Sequence, residues 1–384
     1  MSKLTEHFPL SHYDELPIHQ SNGPIRTYSS SDPRAFDRYW FTTLHEEGDF
    51  MIISGFGTYP NIGTVEAFAM IIIDGKQTTL RAHRPMSQDR ADLNAGPIRY
   101  KLVGAFREWR LTLDDNDQGF TFDLRWRDTK RAIYQKLGEF KVPGVVDFKV
   151  LHDWGGYETF GRIEGTFTYQ GKTYQVDPAK TRGVRDHHWG TRDDVAGFVL
   201  HKNNLPFTSY KGNPVGFSHF GQWVEFKDWS LFGHRVMFNI GDQENTGSSS
   251  AEIIDAKLRF DPDNKHLIGG VVTNKLANGE IKVIHYEAIG YQCAYLRAGC
   301  YTGCNGLGTP DGDIHHGTPV GELISGETYN LMDPTIITQI EGFENLLVRA
   351  TCDGETSVGL LESKNPAIHA MASKGILYSL QTED

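Results

Sequence analysis

Two dipeptides constrain this chain more than any other feature: Asp74-Gly75 and Asn278-Gly279, each set between two strand-like runs. Val65, Ala67, Ala69, Ile71 and Ile73 alternate with Glu66, Phe68, Met70 and Ile72 before the first of them, and residues 76–83 follow it. A two-residue hairpin turn needs positive φ at its central residues, which Asp, Asn and Gly tolerate, so each dipeptide specifies an antiparallel strand pair. Gly171-Lys172 repeats the grammar between residues 162–170 and 173–177. Phe120, Phe122, Leu124 and Trp126 fall on one face of a strand, with Thr121, Asp123, Arg125 and Arg127 on the other. Residues 217–226 and 231–240 make a further pair turning at Lys227-Asp228-Trp229, and Gly55-Phe56-Gly57 reads as a bend within strand sequence.

Helical signals are sparse. Asp32-Pro33 is expected to open a short helix over residues 34–40, with Asp as N-cap and Pro at the first helical position, and Asn365-Pro366 another over residues 367–374. Many short strands separated by turn residues point to antiparallel barrels or sandwiches and away from a parallel α/β sheet. The 41 glycines suit hairpin turns, bulges and barrel corners. A length of 384 residues suits two domains. The expected division is an irregular arm over 1–30, a first domain over 31–194 and a second over 195–384.

Charge and composition narrow the function classes. Thirty-eight basic against 49 acidic residues give a net charge of −11, which argues against a nucleic-acid binder and, less strongly, against an anionic membrane surface. No apolar run approaches the ~20 residues of a membrane helix, and no basic-then-apolar leader opens the sequence. Four cysteines do not make a disulfide framework, so reduced thiols and a cytoplasmic location are expected. Cys293, Cys300 and Cys304 lack the second well-spaced pair of a structural metal site.

The densest polar segment runs from Arg182 to Asp194. In an extended chain Asp186 and His188 point one way while His187 and Trp189 point the other. A carboxylate, an imidazole and an indole so arranged suit proton transfer beside an apolar wall. The alternative is a structural cluster, with Asp186 paired to Arg185 or Arg192 and Trp189 filling the seam between domains. Elsewhere, His219 and Trp223 share one face of a strand, and His201 ends a strand-like run just after the polar segment. His83-Arg84 reads as a loop pair, His152-Asp153-Trp154 as a surface turn, and Asp115 to Gly119 as an exposed hairpin turn. His315-His316 reads as an exposed loop, the alternative being a metal site with Asp311 or Asp313.

Asp186-His187-His188-Trp189-Gly190 resembles the Asp-His-Asn-Trp-Gly motif of the AttH-like and carotenoid 1,2-hydratase superfamily, with His188 where that motif carries Asn. Trp40-Phe41 and the β-rich residues 48–74 are similar to the start of that superfamily's first domain. The resemblance implies an all-β fold of two lipocalin-like antiparallel barrels packed together, with few short helices and an apolar cavity between the barrels. It implies a cofactor-independent, metal-independent enzyme that hydrates, isomerises or cyclises an isoprenoid- or polyketide-like molecule. Protonating an alkene needs an acid in an apolar pocket and aromatic faces beside the cation. The candidate catalytic residues are Asp186, His187, His188 and Arg192; Trp189, His201, Tyr210, His219 and Trp223 are the candidate substrate contacts. The expected partner is an apolar small molecule, with no nucleic acid and no membrane span. The alternative is a carrier that binds such a molecule unchanged. An imidazole or carboxylate projecting into an apolar cavity separates enzyme from carrier.

Overall fold

The computed structural model describes residues 12–15, 20, 22–141, 150–192, 195–197, 215–240, 251–261, 267–300, 314–333, 335–336, 343–364 and 380–382. Its first half holds β1 (Ala35–His45), β2 (Met51–Tyr59), β3 (Thr64–Ile73), β4 (Lys76–Pro85), β5 (Asn94–Ala95) and β6 (Ile98–Gly104). These are followed by β7 (Glu108–Leu113), β8 (Phe120–Asp128), β9 (Ile133–Lys141), β10 (Val150–Tyr169), β11 (Lys172–Val176) and β12 (Thr181–Thr191). The second half holds β13 (Val215–Glu225), β14 (Ser230–Ile240), β15 (Ala251–Phe260), β16 (Leu267–Leu276) and β17 (Ile281–Tyr295). The last four are β18 (Leu323–Asn330), β19 (Phe343–Cys352), β20 (Glu355–Lys364) and β21 (Leu380–Thr382).

The turns fall at or within one residue of the positions read, and at Asn278-Gly279 only Gly279 takes a positive φ, of 85°. Asp74 and Gly75 take φ of 50° and 68° and close the β3–β4 hairpin. Gln170 and Gly171 do the same at 49° and 79° between β10 and β11, one residue earlier than the Gly171-Lys172 turn expected, because Lys172 already pairs with Tyr169. On β8, burial alternates as the sequence alternates. Residues 34–40 form no helix. Asp32 satisfies itself locally, accepting from the Arg34 N–H at 2.9 Å and from its guanidinium at 2.7 Å. The residues that follow enter β1, which is bonded on both sides, to β2 and β12. Two flanking ladders outweigh one N-cap signal. Residues 365–374 lie outside the described residues.

The strands form two sheets with the order β18-β4-β3-β2-β1-β12-β10-β8-β7-β6-β5 and β14-β13-β20-β19-β17-β16-β15-β21, with β9 and β11 also joined to β10. Among the described residues every pairing is antiparallel except β21 alongside β15. Both sheets curl into lipocalin-like barrel walls: β5 and β6 come back towards β3, and β14 towards β15. β18 belongs to the first sheet although it lies far along the chain.

Three cores result. Phe41, Phe56, Ala67, Tyr100, Trp109 and Trp126 fill the first barrel, and Phe220, Val224, Leu258, Tyr286 and Val348 the second. The third lies in the seam, where Trp40, Met51, Phe68 and Val184 of the first sheet meet Trp223, Phe232, Leu347 and Leu360 of the second. Gly55 and Gly57 continue β2 instead of bending it, and both face this seam. A Cβ at Gly57 would stand 2.9 Å from the Arg38 Cγ, and one at Gly55 would strike the Phe68 ring. The two glycines therefore let Arg38 and Phe68 lie flat across β2.

Candidate active site

β12 carries different chemistry on its two faces. On the barrel face, Tyr39, His187 and Tyr157 stand in one row across β1, β12 and β10. The His187 ring stacks on Tyr39 at 4.0 Å and 24°, with Tyr157 edge-on at 5.5 Å and Trp189 at 5.0 Å. His187 Nε2–H donates to Asp37 Oδ1 at 2.6 Å, and Arg90 pairs with Asp37 Oδ2 at 3.1 Å. Burial would lift the Asp37 carboxyl, but the hydrogen bond from His187 and the positive charges of His187 and Arg90 hold it below the ordinary carboxylate range. Burial pushes the phenols of Tyr39 and Tyr157 upward, so both stay neutral donors.

This row opens on a cavity of about 760 Å³ walled by Tyr39, Phe106, Trp109, Tyr134, Tyr157 and Trp189, with His187 and Arg131 among its polar lining groups. Behind it, fully buried Arg185 grips Asp128 with two bonds of 2.9 and 2.7 Å and donates to the Tyr157 hydroxyl at 3.0 Å. Arg185 therefore pairs with Asp128 and not with Asp186, because strand alternation sends residues 185 and 186 to opposite faces. For the same reason Trp189 walls this cavity instead of filling the seam. Every residue lining this cavity comes from the first sheet and its connections, whereas the family resemblance implies a cavity between the barrels.

The seam face of β12 presents Asp186 and His188. His188 Nδ1 lies 3.3 Å from Asp186 Oδ2 and its Nε2 lies 3.6 Å from Glu158 Oε1. Trp223 Nε1 donates to the other Glu158 oxygen at 3.2 Å, and Trp154 meets the His188 ring edge-on at 4.7 Å. Gly156 gives His188 its place, since a Cβ there would collide with the imidazole. Arg192 lies over the rings of Phe36 and Trp154 at 5.8 and 5.9 Å. Glu362, bonded to Asn345 at 2.8 Å, is pushed up to about 7 by burial and by the charge of Asp186.

A second buried constellation lies on the same face, centred on β3, three strands from β12. Glu66 accepts from the Tyr59 hydroxyl at 2.6 Å, from the Gly317 N–H at 2.8 Å and from His316 Nδ1. Arg38 Nη2 lies 3.1 Å from His316 Nε2 and donates to it, which fixes a neutral imidazole with its proton on Nδ1. Burial and the Arg38 charge pull His316 down to about 4. Burial would raise Glu66, yet His316 and the neighbouring charges bring it to about 2. His83 completes the row at 3.9 Å from Glu66.

Among the described residues, two groups bring three ligating side chains within 4.8 Å of one another: Glu158, Asp186 and His188 in the seam, and His45, Glu47 and Asp49 at the β1–β2 turn. The cavity around His187 holds no such group.

The structure thus divides the predicted residues. His187 and Trp189 line the cavity; Asp186, His188, Arg192 and Trp223 meet in the seam. His219 lies on β13 with its side chain outside the description, and His201 and Tyr210 lie outside the described residues. Three readings are corrected. His83 is a buried strand residue of β4, His152-Asp153-Trp154 belongs to β10, and His316 is buried with a carboxylate and a guanidinium as partners. Sequence reasoning missed Asp37, Tyr39, Glu66 and Glu158. The first two were masked by the expected helix; read as a strand, 37, 39 and 41 share one face.

Comparison with known proteins places the chain. A family of unknown function, DUF8625, matches residues 10–202, half of the sequence. The chain belongs to that family. The DUF8625 region contains Asp37, His187 and every residue that lines the cavity. Kievitone hydratase from Fusarium solani subsp. phaseoli is 24% identical over 195 residues, 48% of this chain and 53% of that protein, so the match spans about half the length of that relative. An AttH from Nitrosomonas europaea is similar in structure with a TM-score of 0.47 and 11% identity, covering 86% of this chain and 92% of that one. CghA with Sch210972 gives 0.43 and 9%, covering 86% and 88%. These relatives are members of the AttH-like double-lipocalin superfamily whose motif residues 186–190 resemble.

Proposed function

We propose that the chain is an enzyme that hydrates, isomerises or cyclises an apolar isoprenoid- or polyketide-like molecule, with the reaction in the His187 cavity. One observation supports this above the rest: an imidazole backed by a carboxylate faces an aromatic-walled cavity of about 760 Å³. A carrier needs the walls but not the dyad. The relationship to a hydratase over 195 residues supports the same reading.

His187 is the proton donor. Its Nε2 is committed to Asp37, which leaves Nδ1 to exchange a proton with the substrate. Transfer of that proton to an alkene carbon makes a C–H bond from the π pair and leaves a cation on the neighbouring carbon. The faces of Tyr39, Tyr157 and Trp189 stabilise that cation. Water then forms the C–O bond and returns one proton to neutral His187, so hydration consumes one alkene and one water. Loss of a different proton gives an isomer, and attack by a second alkene closes a ring. Asp37 is a positioning residue that fixes the tautomer and offsets the imidazolium charge. Asp186, His188 and Arg192 stand behind the same strand and do not touch substrate in this cavity.

The test is incubation with isoprenoid and polyketide alkenes in deuterium oxide and in ¹⁸O-water, read by mass spectrometry. Hydration adds one deuterium and one ¹⁸O, isomerisation adds deuterium alone, and His187→Gln loses both. Tight binding of such alkenes without isotope incorporation would make the protein a carrier and overturn the proposal.

A further inference from the structure

The mouth of the cavity is built unlike the rest of the surface. Phe106 and Tyr134 are 62% and 68% exposed, and Leu102 and Val103 are 47% and 48% exposed. Three of these four also line the cavity, so they form one continuous apolar rim. Phe106 holds φ at 52°, a left-handed conformation that favours Gly or Asn, in the turn closed by Arg107 N–H to Gly104 O at 3.1 Å. An aromatic ring is thus presented to solvent at a position poorly suited to it.

Charge around the rim is inverted relative to the chain. Lys101, Arg107 and Arg131 are exposed beside these side chains, and residues 98–107 and 129–134 contain no Asp or Glu, although the whole chain carries −11. Overall charge argued against an anionic surface; the local distribution argues for one.

We infer that this rim docks on an anionic lipid bilayer, with Phe106, Val103 and Tyr134 entering the interface and Lys101, Arg107 and Arg131 meeting the headgroups. Bulky apolar groups ringed by Lys and Arg suit the boundary between acyl chains and headgroups. A second copy of the chain fits less well, because a two-fold contact through this patch would set the three cations against themselves. Among the described residues no helix is long and apolar enough to cross a membrane. Docking would place the cavity mouth where apolar molecules concentrate; the docking itself does not depend on the cavity being catalytic.

Vesicle co-sedimentation of the full chain tests this without any turnover measurement. Phosphatidylcholine vesicles with about 30% phosphatidylserine should bind it, pure phosphatidylcholine should bind it far less, and raised salt should weaken binding. Val103→Asp and the pair Lys101→Gln/Arg107→Gln lie outside the cavity lining. Each variant should reduce binding to anionic vesicles at least fivefold, roughly the effect of one interfacial charge. Circular dichroism and thermal melting confirm that the variants fold. Absence of vesicle binding, equal binding to both vesicle types, or variants that bind like the parent overturn the inference. So does a concentration-dependent dimer that Val103→Asp dissociates, which would give the rim to a second copy.

Discussion

His187 and His188 are neighbours on one strand, and each has a carboxylate within reach of a ring nitrogen, yet their surroundings differ. His187 has one ring nitrogen on Asp37 and a face on a cavity. His188 is wedged between Asp186 and Glu158 in the packed seam. His316 goes further, with Glu66 on one nitrogen and Arg38 on the other. A carboxylate–imidazole pair thus recurs three times in this molecule, and the pairing alone does not single out a catalytic residue. What sets His187 apart from the other two is the cavity that its ring lines.

The largest expected effect tests that separation directly. His187→Gln should lower turnover about 10³-fold, the usual worth of a general acid, with little change in melting temperature. His188→Asn in the same assay should change turnover less than about fivefold. If His188→Asn proves the more damaging, the assignment of the two faces is reversed.

Next comes stability. Glu66→Ala leaves His316, Tyr59 and the Gly317 N–H without their acceptor and should cost about 3 kcal/mol in urea unfolding. Asp37→Ala, whose carboxylate is partly exposed, should cost about 1 kcal/mol while lowering turnover more than tenfold.

Acid should find the same cluster. His316 is held below its unfolded value, so the unfolded chain binds the extra proton and stability falls as pH drops from about 6.5 towards 4. Glu66 is also held low, and its contribution is lost as pH falls from about 4.5 towards 2. His316→Gln should flatten the upper part of this curve, as followed by urea midpoints across pH. Loss of stability confined below pH ~4 would argue that His316 is already charged.

The smallest effect has the opposite sign. Glu362 is raised to about 7, so the folded protein keeps its proton while the unfolded chain releases it, and stability falls as pH rises from about 4.5 through 7. Glu362→Gln should stabilise the protein by about 1 kcal/mol at pH 8 and leave it unchanged at pH 4. Destabilisation at pH 8 would mean that Glu362 works as a carboxylate in the seam.

Much of the fold was legible because its signals are local. Asp74-Gly75 and Gly171 carry their turn conformation in their own residue types, and the period of two on β8 reports which face is buried. The same period placed Asp186 with His188 and His187 with Trp189. The failures come from contacts that sequence distance hides. Asp32-Pro33 reads as a helix start until β2 and β12 are known to claim residues 35–45 from both sides. Glu66 and His316 are 250 positions apart, so nothing near either residue announces the other. Asp37 went unseen for the first reason, and the buried His316 for the second.

β18 has a consequence for how the molecule is made. It covers the β4 edge of the first sheet, with Leu323 paired to His83 and Asn330 to Lys76. At ~5–20 residues per second, a ribosome finishes β12 roughly ten seconds before it supplies that covering strand. During the interval β4 offers a row of unpaired backbone groups, the kind of template on which chains join edge to edge. The region matched by DUF8625 ends at residue 202, so it does not carry its own edge strand. A fragment cut at that family boundary should aggregate, and supplying residues 323–330 as a separate peptide should relieve it.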